Sequence, residues 1–229
     1  MARAAAVRIA DGVWRIPTSV GDFVNSYAFR DTDGTFTVVD AGLSLRWCNR
    51  KLRRGLTEIG AGPATITRLV ATHAHVDHAG GLSRLAAQTG APVAAHEREA
   101  IYLRDGKVPR LASGRGGKFP KLTVAEEFLD GTLLPDAGGL RVVHTPGHSP
   151  GHVSLVHEPT GVLVTGDALF NVRGVRYSPR SLCTDPDTNR KSADALGDLD
   201  FEVAAFTHGP EIRSGAKDAV RAFLRGRER

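Results

Sequence analysis

The residues best suited to chemistry are concentrated in one hexapeptide, which runs from His73 to His78 and contains three histidines and Asp77. So many imidazole and carboxylate groups are difficult to satisfy within one short segment unless a positive charge gathers them. Imidazole nitrogen and carboxylate oxygen suit Zn²⁺, with iron or manganese as weaker alternatives. Because no thiolate lies nearby, a closed structural zinc site is disfavoured. The hexapeptide therefore predicts a metal site that is not of the closed structural type.

Three further segments share one arrangement, in which a predicted strand ends at a histidine or aspartate beside glycine or proline. His148 follows the predicted strand 140–144, Asp167 follows 162–164, and His208 follows 203–206. Each segment taken alone would be interpreted more simply as a structural turn. Together they add two imidazoles and one carboxylate at strand ends. The candidate metal ligands are His73, His75, Asp77, His78, His148, Asp167 and His208.

The elements that must position these residues follow from the apolar patterns. The short β-branched run 66–71 predicts a buried strand that delivers the hexapeptide, and Gly80 and Gly81 then allow a turn into a helix that begins near Leu82. Further strands are expected through Trp14, Tyr27 and Val38, at 92–96, and at several places in 140–175. Helices are expected at about 45–59, 97–103, 192–199 and 215–224. Two β-rich halves, each with flanking helices, predict an α/β fold arranged as an αββα sandwich.

The ordered motifs His-x-His-x-Asp-His, Pro-Gly-His, Gly-Asp and a late His-Gly resemble the metallo-β-lactamase-fold hydrolase superfamily. The resemblance covers residues 38–208 and agrees with a single domain of that type over residues 1–229. It implies that His73, His75 and His148 hold a first metal, that Asp77, His78 and His208 hold a second, and that Asp167 bridges them. It also implies that Asp40 orients a ligand and that His152 is not a ligand.

This resemblance implies two metals, chiefly zinc, at the separation of about 3.5 to 4 Å that two-metal sites show. A water that bridges them, acidified to hydroxide near neutral pH, would be the nucleophile. Asp77 would be both a ligand and the catalytic neighbour of that water. Serine and cysteine nucleophiles are not needed, and no elbow or triad motif is recognisable.

Composition limits the class of protein. A chain of 229 residues with ordinary apolar content can bury one sizeable core. Since no apolar run is long enough for a signal peptide or a membrane helix, we expect a cytoplasmic protein with no membrane partner. Cys48 and Cys183 lie far apart in sequence, which suits a reducing compartment. We expect Cys48 to be a half-buried structural thiol and Cys183 to lie near the mouth of the site.

The positive charge is unevenly distributed, because a basic stretch lies between the predicted helix 97–103 and the Pro-Gly-His motif. Its basic residues are Arg104, Lys107, Arg110, Arg115, Lys118 and Lys121. A solvated surface loop explains it most simply, and a mobile lid that holds an anionic substrate is the functional alternative. Nucleic acid is disfavoured as a partner because the stretch lacks a platform of aromatic residues for stacking bases.

Differences between this sequence and known branches of the superfamily narrow the class of substrate that we predict. β-Lactamases of this fold generally lack the bridging aspartate and are exported, whereas this chain has Asp167. The segment from Gly166 to Phe170 is similar to glyoxalase II, but we expect no room after His208 for the additional glutathione-binding helical domain. Lactonases share the Pro-Gly-His-Ser-Pro-Gly-His pattern, yet they place a tyrosine where this chain has Phe170. Tyr177 could reach the groove instead, and a packing role for it is the alternative.

The sequence therefore predicts a hydrolase of a small-molecule thioester, lactone or ester. The alternatives are a mononuclear iron persulfide dioxygenase and a phosphodiesterase or nuclease of the same fold. A protein of another class, which binds metals as a sensor without turnover, is disfavoured by the intact Asp77 and Asp167. Oligomeric state is left open by the sequence.

Overall fold

Two β-sheets face each other, and helices cover both outer faces. A computed structural model describes residues 4–135 and 138–226; residues 1–3, 136–137 and 227–229 of the predicted domain lie outside it. In the first sheet the strands follow the order of the chain: β1 Val7–Ala10, β2 Val13–Pro17, β3 Asn25–Arg30, β4 Phe36–Val39, β5 Ile66–Ala71, β6 Val93–His96 and β7 Val124–Phe128. The second sheet has the order β14 Val203–Ala205, β11 Val162–Val164, β10 Val153–His157, β9 Leu140–His144 and β8 Leu133–Leu134.

The inner layer between the sheets is apolar because strand side chains alternate between two faces. In β3, Tyr27 and Phe29 contribute to the core between the sheets, while Ala28 contributes to the outer core. In β11, Val162 faces the inner core and Leu163 faces the outer core of the second sheet. Both faces of each sheet are thus covered, as in the predicted αββα sandwich, which is confirmed.

The helices bury one apolar stripe each against the sheets. The first sheet carries α1 Arg46–Glu58, the short α2 Val76–Ala79, α3 Leu82–Thr89 and α4 Glu97–Asp105, and the second sheet carries α5 Pro186–Ala195 and α6 Ala216–Arg225. In α1, Cys48, Leu52 and Leu56 recur at helical spacing on the buried face. Among the described residues, no helix is both long and apolar enough to span a bilayer.

Several elements differ from the sequence predictions. Strands β1, β7 and β8 were not predicted, and α5 begins at Pro186 rather than near Ser192. The early start has a local cause: the Asp185 carboxylate accepts hydrogen bonds from the backbone N–H groups of Asp187 and Thr188, and proline suits the first helical position. A small hairpin, β12 Leu169–Asn171 and β13 Val175–Tyr177, follows the second sheet.

Strand direction brings the candidate ligands to one edge of the sandwich. Strand β10 is antiparallel to both β9 and β11, and β14 is parallel to β11, so β9, β11 and β14 all run in one direction. In the other sheet β4 and β5 are parallel. The sheets are joined at this edge by hydrogen bonds from the Val153 N–H to the Thr72 carbonyl (3.1 Å) and from the Asn25 N–H to the Thr207 carbonyl (2.9 Å).

Candidate metal centre

The seven predicted ligands meet at this edge in two groups. His73, His75, His148 and Asp167 form one group, and Asp77, His78 and His208 form the other; within each group the possible ligand atoms lie within 4.8 Å of one another. The loops after β5, β9, β11 and β14 supply five of these side chains, and α2 presents Asp77 and His78 on its first turn. The composition of both groups matches the assignment that the sequence implied.

Asp167 lies between the two groups. Its Oδ2 atom is 3.2 Å from His148 Nε2 and 3.2 Å from His208 Nε2, and its Oδ1 atom is 3.2 Å from His78 Nε2. One carboxylate therefore faces imidazoles of both groups. The backbone turn that presents it requires a glycine, since Gly166 has φ +53° and a Cβ atom there would lie 2.5 Å from His152 Nε2.

The cluster contains polar atoms that a cation would satisfy. Among the described residues, His73 Nε2, His78 Nε2 and Asp167 Oδ1 are buried and make no hydrogen bond. Buried polar atoms normally have a partner, because leaving one unpaired costs about 1 to 3 kcal/mol. Their placement among further imidazoles fits a transition metal bound by nitrogen and oxygen.

Burial and charge set the protonation states in the cluster. Burial lowers the pKa of His73 and His75 well below the ordinary value, which favours the neutral imidazole that binds metals. Burial acts in the same direction on His78 and His208, but nearby carboxylates, Asp167 above all, outweigh it and raise their pKa. Burial alone would raise the pKa of Asp167, yet the surrounding imidazoles hold it well below the ordinary range. The carboxylate therefore stays ionised.

Asp40 orients His78, as the sequence implied. Its Oδ2 atom lies 2.7 Å from His78 Nδ1 and accepts a hydrogen bond from the Thr72 hydroxyl (2.7 Å), and its Oδ1 atom accepts from the Thr72 N–H (2.9 Å). A proton held on His78 Nδ1 leaves Nε2 free to face the cluster. Asp40 has φ +57°, a left-handed conformation that aspartate tolerates better than most residues.

His148 and His208 are also held on their outer nitrogens. His148 Nδ1 lies 2.9 Å from the Ser178 hydroxyl, and His208 Nδ1 lies 3.0 Å from the Phe23 carbonyl, to which it can donate. The His208 ring lies between aromatic neighbours, with ring centroids 4.9 Å from Phe23 and 4.3 Å from Phe170. In both histidines the Nε2 atom is turned towards Asp167.

His152 is buried beside the cluster, and both of its nitrogens are engaged elsewhere. Its Nε2 atom accepts a hydrogen bond from the Asp167 N–H (2.8 Å), and its Nδ1 atom lies 2.8 Å from the Thr145 hydroxyl. It therefore supports the backbone that presents Asp167. This geometry agrees with the expectation that His152 is not a ligand.

Glu99 is a functional residue that the sequence analysis missed. Its fully buried carboxylate accepts hydrogen bonds from the Ala74 N–H (2.8 Å) and the Gly151 N–H (2.7 Å), so it connects the His-x-His segment with the Pro-Gly-His loop. Burial raises the pKa of Glu99 to about 7, although both N–H donors act in the opposite direction. The available signal was its helical spacing with Ala100 and Leu103, which places it on the buried face of α4.

Two other expectations need correction. Cys48 is fully buried rather than half-buried. Cys183 does not lie at the mouth: it is fully buried with Sγ 3.8 Å from His148 Nδ1, and burial raises its pKa to about 11. Tyr177 follows the packing alternative rather than reaching the groove, because its ring packs on Phe223 and its hydroxyl donates to Asp194.

The cavity over the cluster has a volume of about 600 Å³ and mainly apolar walls. Its floor includes His75, Asp77, Asp167 and His208. The basic stretch contributes Val108, Leu111, Gly116 and Gly117 to the wall, not its charged side chains. Arg104 belongs to α4 and pairs with Glu127 (2.7 Å), away from the described cavity lining.

The comparisons with known proteins agree with this geometry. Residues 20–208 match the profile described as the metallo-beta-lactamase superfamily. A Bacillus subtilis protein named "Probable metallo-hydrolase YybB" is 29% identical over 192 residues, which cover 82% of each chain. Metallo-beta-lactamase domain-containing protein 1 of Xenopus laevis is 30% identical over 192 residues, covering 79% of this chain and 72% of that protein. The structure of a Cronobacter sakazakii metallo-beta-lactamase, altered in its HARLDQ motif, has a TM-score of 0.77 at 25% identity and covers 96% of this chain and 94% of that one.

The αββα layers and the histidine-rich cluster at one edge define a class of metal-binding hydrolases. The chain belongs to the metallo-β-lactamase superfamily.

Proposed function

We propose that the protein is a dinuclear zinc hydrolase that cleaves a small thioester, lactone or ester. His73, His75 and His148 would hold one metal, Asp77, His78 and His208 the other, and Asp167 would contact both. When bound, such metals polarise a carbonyl oxygen and make a water molecule acidic near neutral pH. The roles of the Asp167 and Asp77 carboxylates and of the cavity walls are described below.

The observation that carries the proposal is the position of Asp167. Its oxygens lie 3.2 Å from imidazole nitrogens on both sides, which include His148 of one group and His78 of the other. A carboxylate in that position suits two cations better than one, because its oxygens face imidazoles of both groups. Two negative charges, on Asp167 and Asp77, would offset the repulsion between two dications.

Asp77 is the carboxylate of the cluster that faces the cavity. Its side chain is 27% exposed, whereas that of Asp167 is 3% exposed, and its Oδ2 atom lies 3.5 Å from His208 Nε2. It lines the cavity where a substrate carbonyl would lie. Its carboxylate can therefore accept the proton that an attacking water releases.

The cavity favours an uncharged carbonyl over a phosphodiester as the reacting group. Of the described residues that line the cavity, Arg176 alone is an arginine or lysine. Phosphoryl groups are usually held by several cationic donors or by helix N-termini. The apolar walls instead suit the aliphatic or aromatic part of an ester, thioester or lactone.

A panel of thioesters, lactones, esters and phosphodiesters, assayed with the zinc-loaded protein, tests the proposal. We expect turnover of at least one carbonyl class and its loss in Asp77→Ala. A matched control is Asp33→Ala, because Asp33 lies in an exposed loop between β3 and β4. Turnover restricted to phosphodiesters, or equal turnover in Asp77→Ala and the parent, would refute it.

A further inference from the structure

Arg176 is placed towards the cavity by the register of the β12–β13 hairpin. Phe170 pairs directly with Arg176 across the two strands, and Leu169 pairs with Tyr177. Directly paired residues project on the same face of a sheet, and neighbours along a strand alternate. Phe170 packs on the candidate ligand His208, so that face is the cavity face, whereas Leu169 belongs to the core under α6. The same register therefore directs Arg176 to the cavity wall that it lines.

The guanidinium group of Arg176 is available for a ligand. The residue is exposed, and its described hydrogen bond is a long one, 3.4 Å from Nη2 to the Arg173 carbonyl. Within residues 4–135 and 138–226, no carboxylate forms an ion pair with it, in contrast to Arg180, which pairs with Asp187 at 2.8 Å. Arginine presents a fork of donors that matches the geometry of a carboxylate.

The rest of the cavity lining is mainly apolar. Val76, Val108, Leu111, Phe170 and Val172 belong to it, and the rim carries Phe23 and Leu182, which are 49% and 42% exposed. The Ser19 hydroxyl, also in the wall, already accepts a hydrogen bond from the Val24 N–H (2.7 Å). A ligand that fills the cavity therefore meets charged side chains at the candidate metal centre and at Arg176, and mainly apolar ones elsewhere.

We propose that Arg176 determines specificity by binding a carboxylate at the far end of an apolar substrate whose carbonyl lies at the metal centre. This inference rests on the proposed function and names its substrate class: acyl or aryl esters, thioesters or lactones with one remote carboxylate. The basic side chains Arg110, Arg115 and Lys118, which the sequence analysis considered for this role, are not among the residues that line the cavity.

Binding of two matched thiols to the zinc-loaded protein tests the inference without requiring turnover. Thiolate sulfur is a strong zinc ligand, so 6-mercaptohexanoate and 6-mercaptohexanol would share one anchor and differ at the other end. By calorimetry we expect the parent to prefer the acid roughly two- to fivefold, the range that a partly exposed ion pair gives, with the preference falling as salt rises. Arg176→Gln should abolish the preference and Arg176→Lys should keep most of it.

The control is a triple variant, Arg110→Gln, Arg115→Gln and Lys118→Gln, which should retain the preference for the acid. Loss of the preference in the triple variant, or its persistence in Arg176→Gln, would overturn the inference. In turnover assays, Arg176→Gln should raise KM for an acidic substrate but not for its neutral amide, with kcat little changed. If no carbonyl substrate is cleaved although the thiol preference depends on Arg176, the proposed function fails and the carboxylate site stands.

Discussion

Replacing Glu99 by glutamine tests whether the buried carboxylate holds the two ligand-bearing loops together. In the native protein two oxygens accept the N–H groups of Ala74 and Gly151. The glutamine amide has one acceptor oxygen, so one N–H group would face an NH₂ group and lose its partner. An unpaired buried donor costs about 1 to 3 kcal/mol. Since burial raises the pKa of Glu99 to about 7, removal of the buried charge offsets part of this cost, and we expect about 1 kcal/mol of net destabilisation.

For a chain of this length a loss of that size lowers Tm by about 2 to 4 °C. The larger effect should appear in metal binding, because Ala74 lies between two candidate ligands and Gly151 follows the Pro-Gly-His loop. Changes to groups that orient ligands typically reduce metal affinity about 10- to 100-fold. Chelator competition and thermal unfolding measure the two effects, and Glu97→Gln, at an exposed position in the first turn of α4, is the control. Equal metal affinity in Glu99→Gln and Glu97→Gln would refute the positioning role.

Three further substitutions give separate expectations. Asp77→Ala should lower turnover by about two to three orders of magnitude in a folded protein, which is the usual effect of removing a group that stabilises the transition state. An unchanged kcat would show that the chemistry takes place elsewhere. His152→Ser should retain both metals by elemental analysis, whereas His148→Ala should lose one; a metal-free His152→Ser protein would contradict the hydrogen-bonding role. Burial, with His144 and Arg98 nearby, lowers the pKa of His96 to about 4, so the unfolded chain binds more protons between about pH 4 and 6.5. The stability that neutral His96 contributes is therefore lost as pH falls through that window. His96→Asn, which can still cap α4, should reduce the decline in Tm between pH 6.5 and 4.5. An unchanged decline would contradict this role of His96.

The candidate centre was largely predictable because its residues are local signals at strand ends. The hexapeptide at 73–78 places four candidate ligands within six residues, and each later ligand follows a recognisable apolar strand. Parallel strands then carry their ends to a common edge, as β9, β11 and β14 do. The family resemblance also implied that His152 is not a ligand, and its hydrogen bonds to the Asp167 N–H and the Thr145 hydroxyl agree with that.

Other features depend on tertiary packing that a single sequence does not encode locally. Glu97 and Glu99 are both glutamates near the start of α4, and only the docking of α4 against Gly151 buries Glu99 while Glu97 stays exposed. The approach is close, since a Cβ atom at Gly151 would lie 2.5 Å from the Glu99 backbone nitrogen. The charge between Arg104 and Lys121 favoured a solvated surface loop, with an anion-binding lid as the alternative, whereas the hairpin register directs Arg176 to the cavity wall. Strand β7, Val124–Phe128, contains two glutamates and lies at the edge of its sheet, so its apolar signal is weak.

The metal content of the purified protein tests the central claim most directly. Elemental analysis after expression without added chelator should give close to two transition metals per chain, chiefly zinc, since two groups of donors share Asp167. Asp167→Ala should reduce that content while Asp33→Ala leaves it unchanged. A reproducible single equivalent of iron without zinc, or a metal content that does not depend on Asp167, would contradict the account.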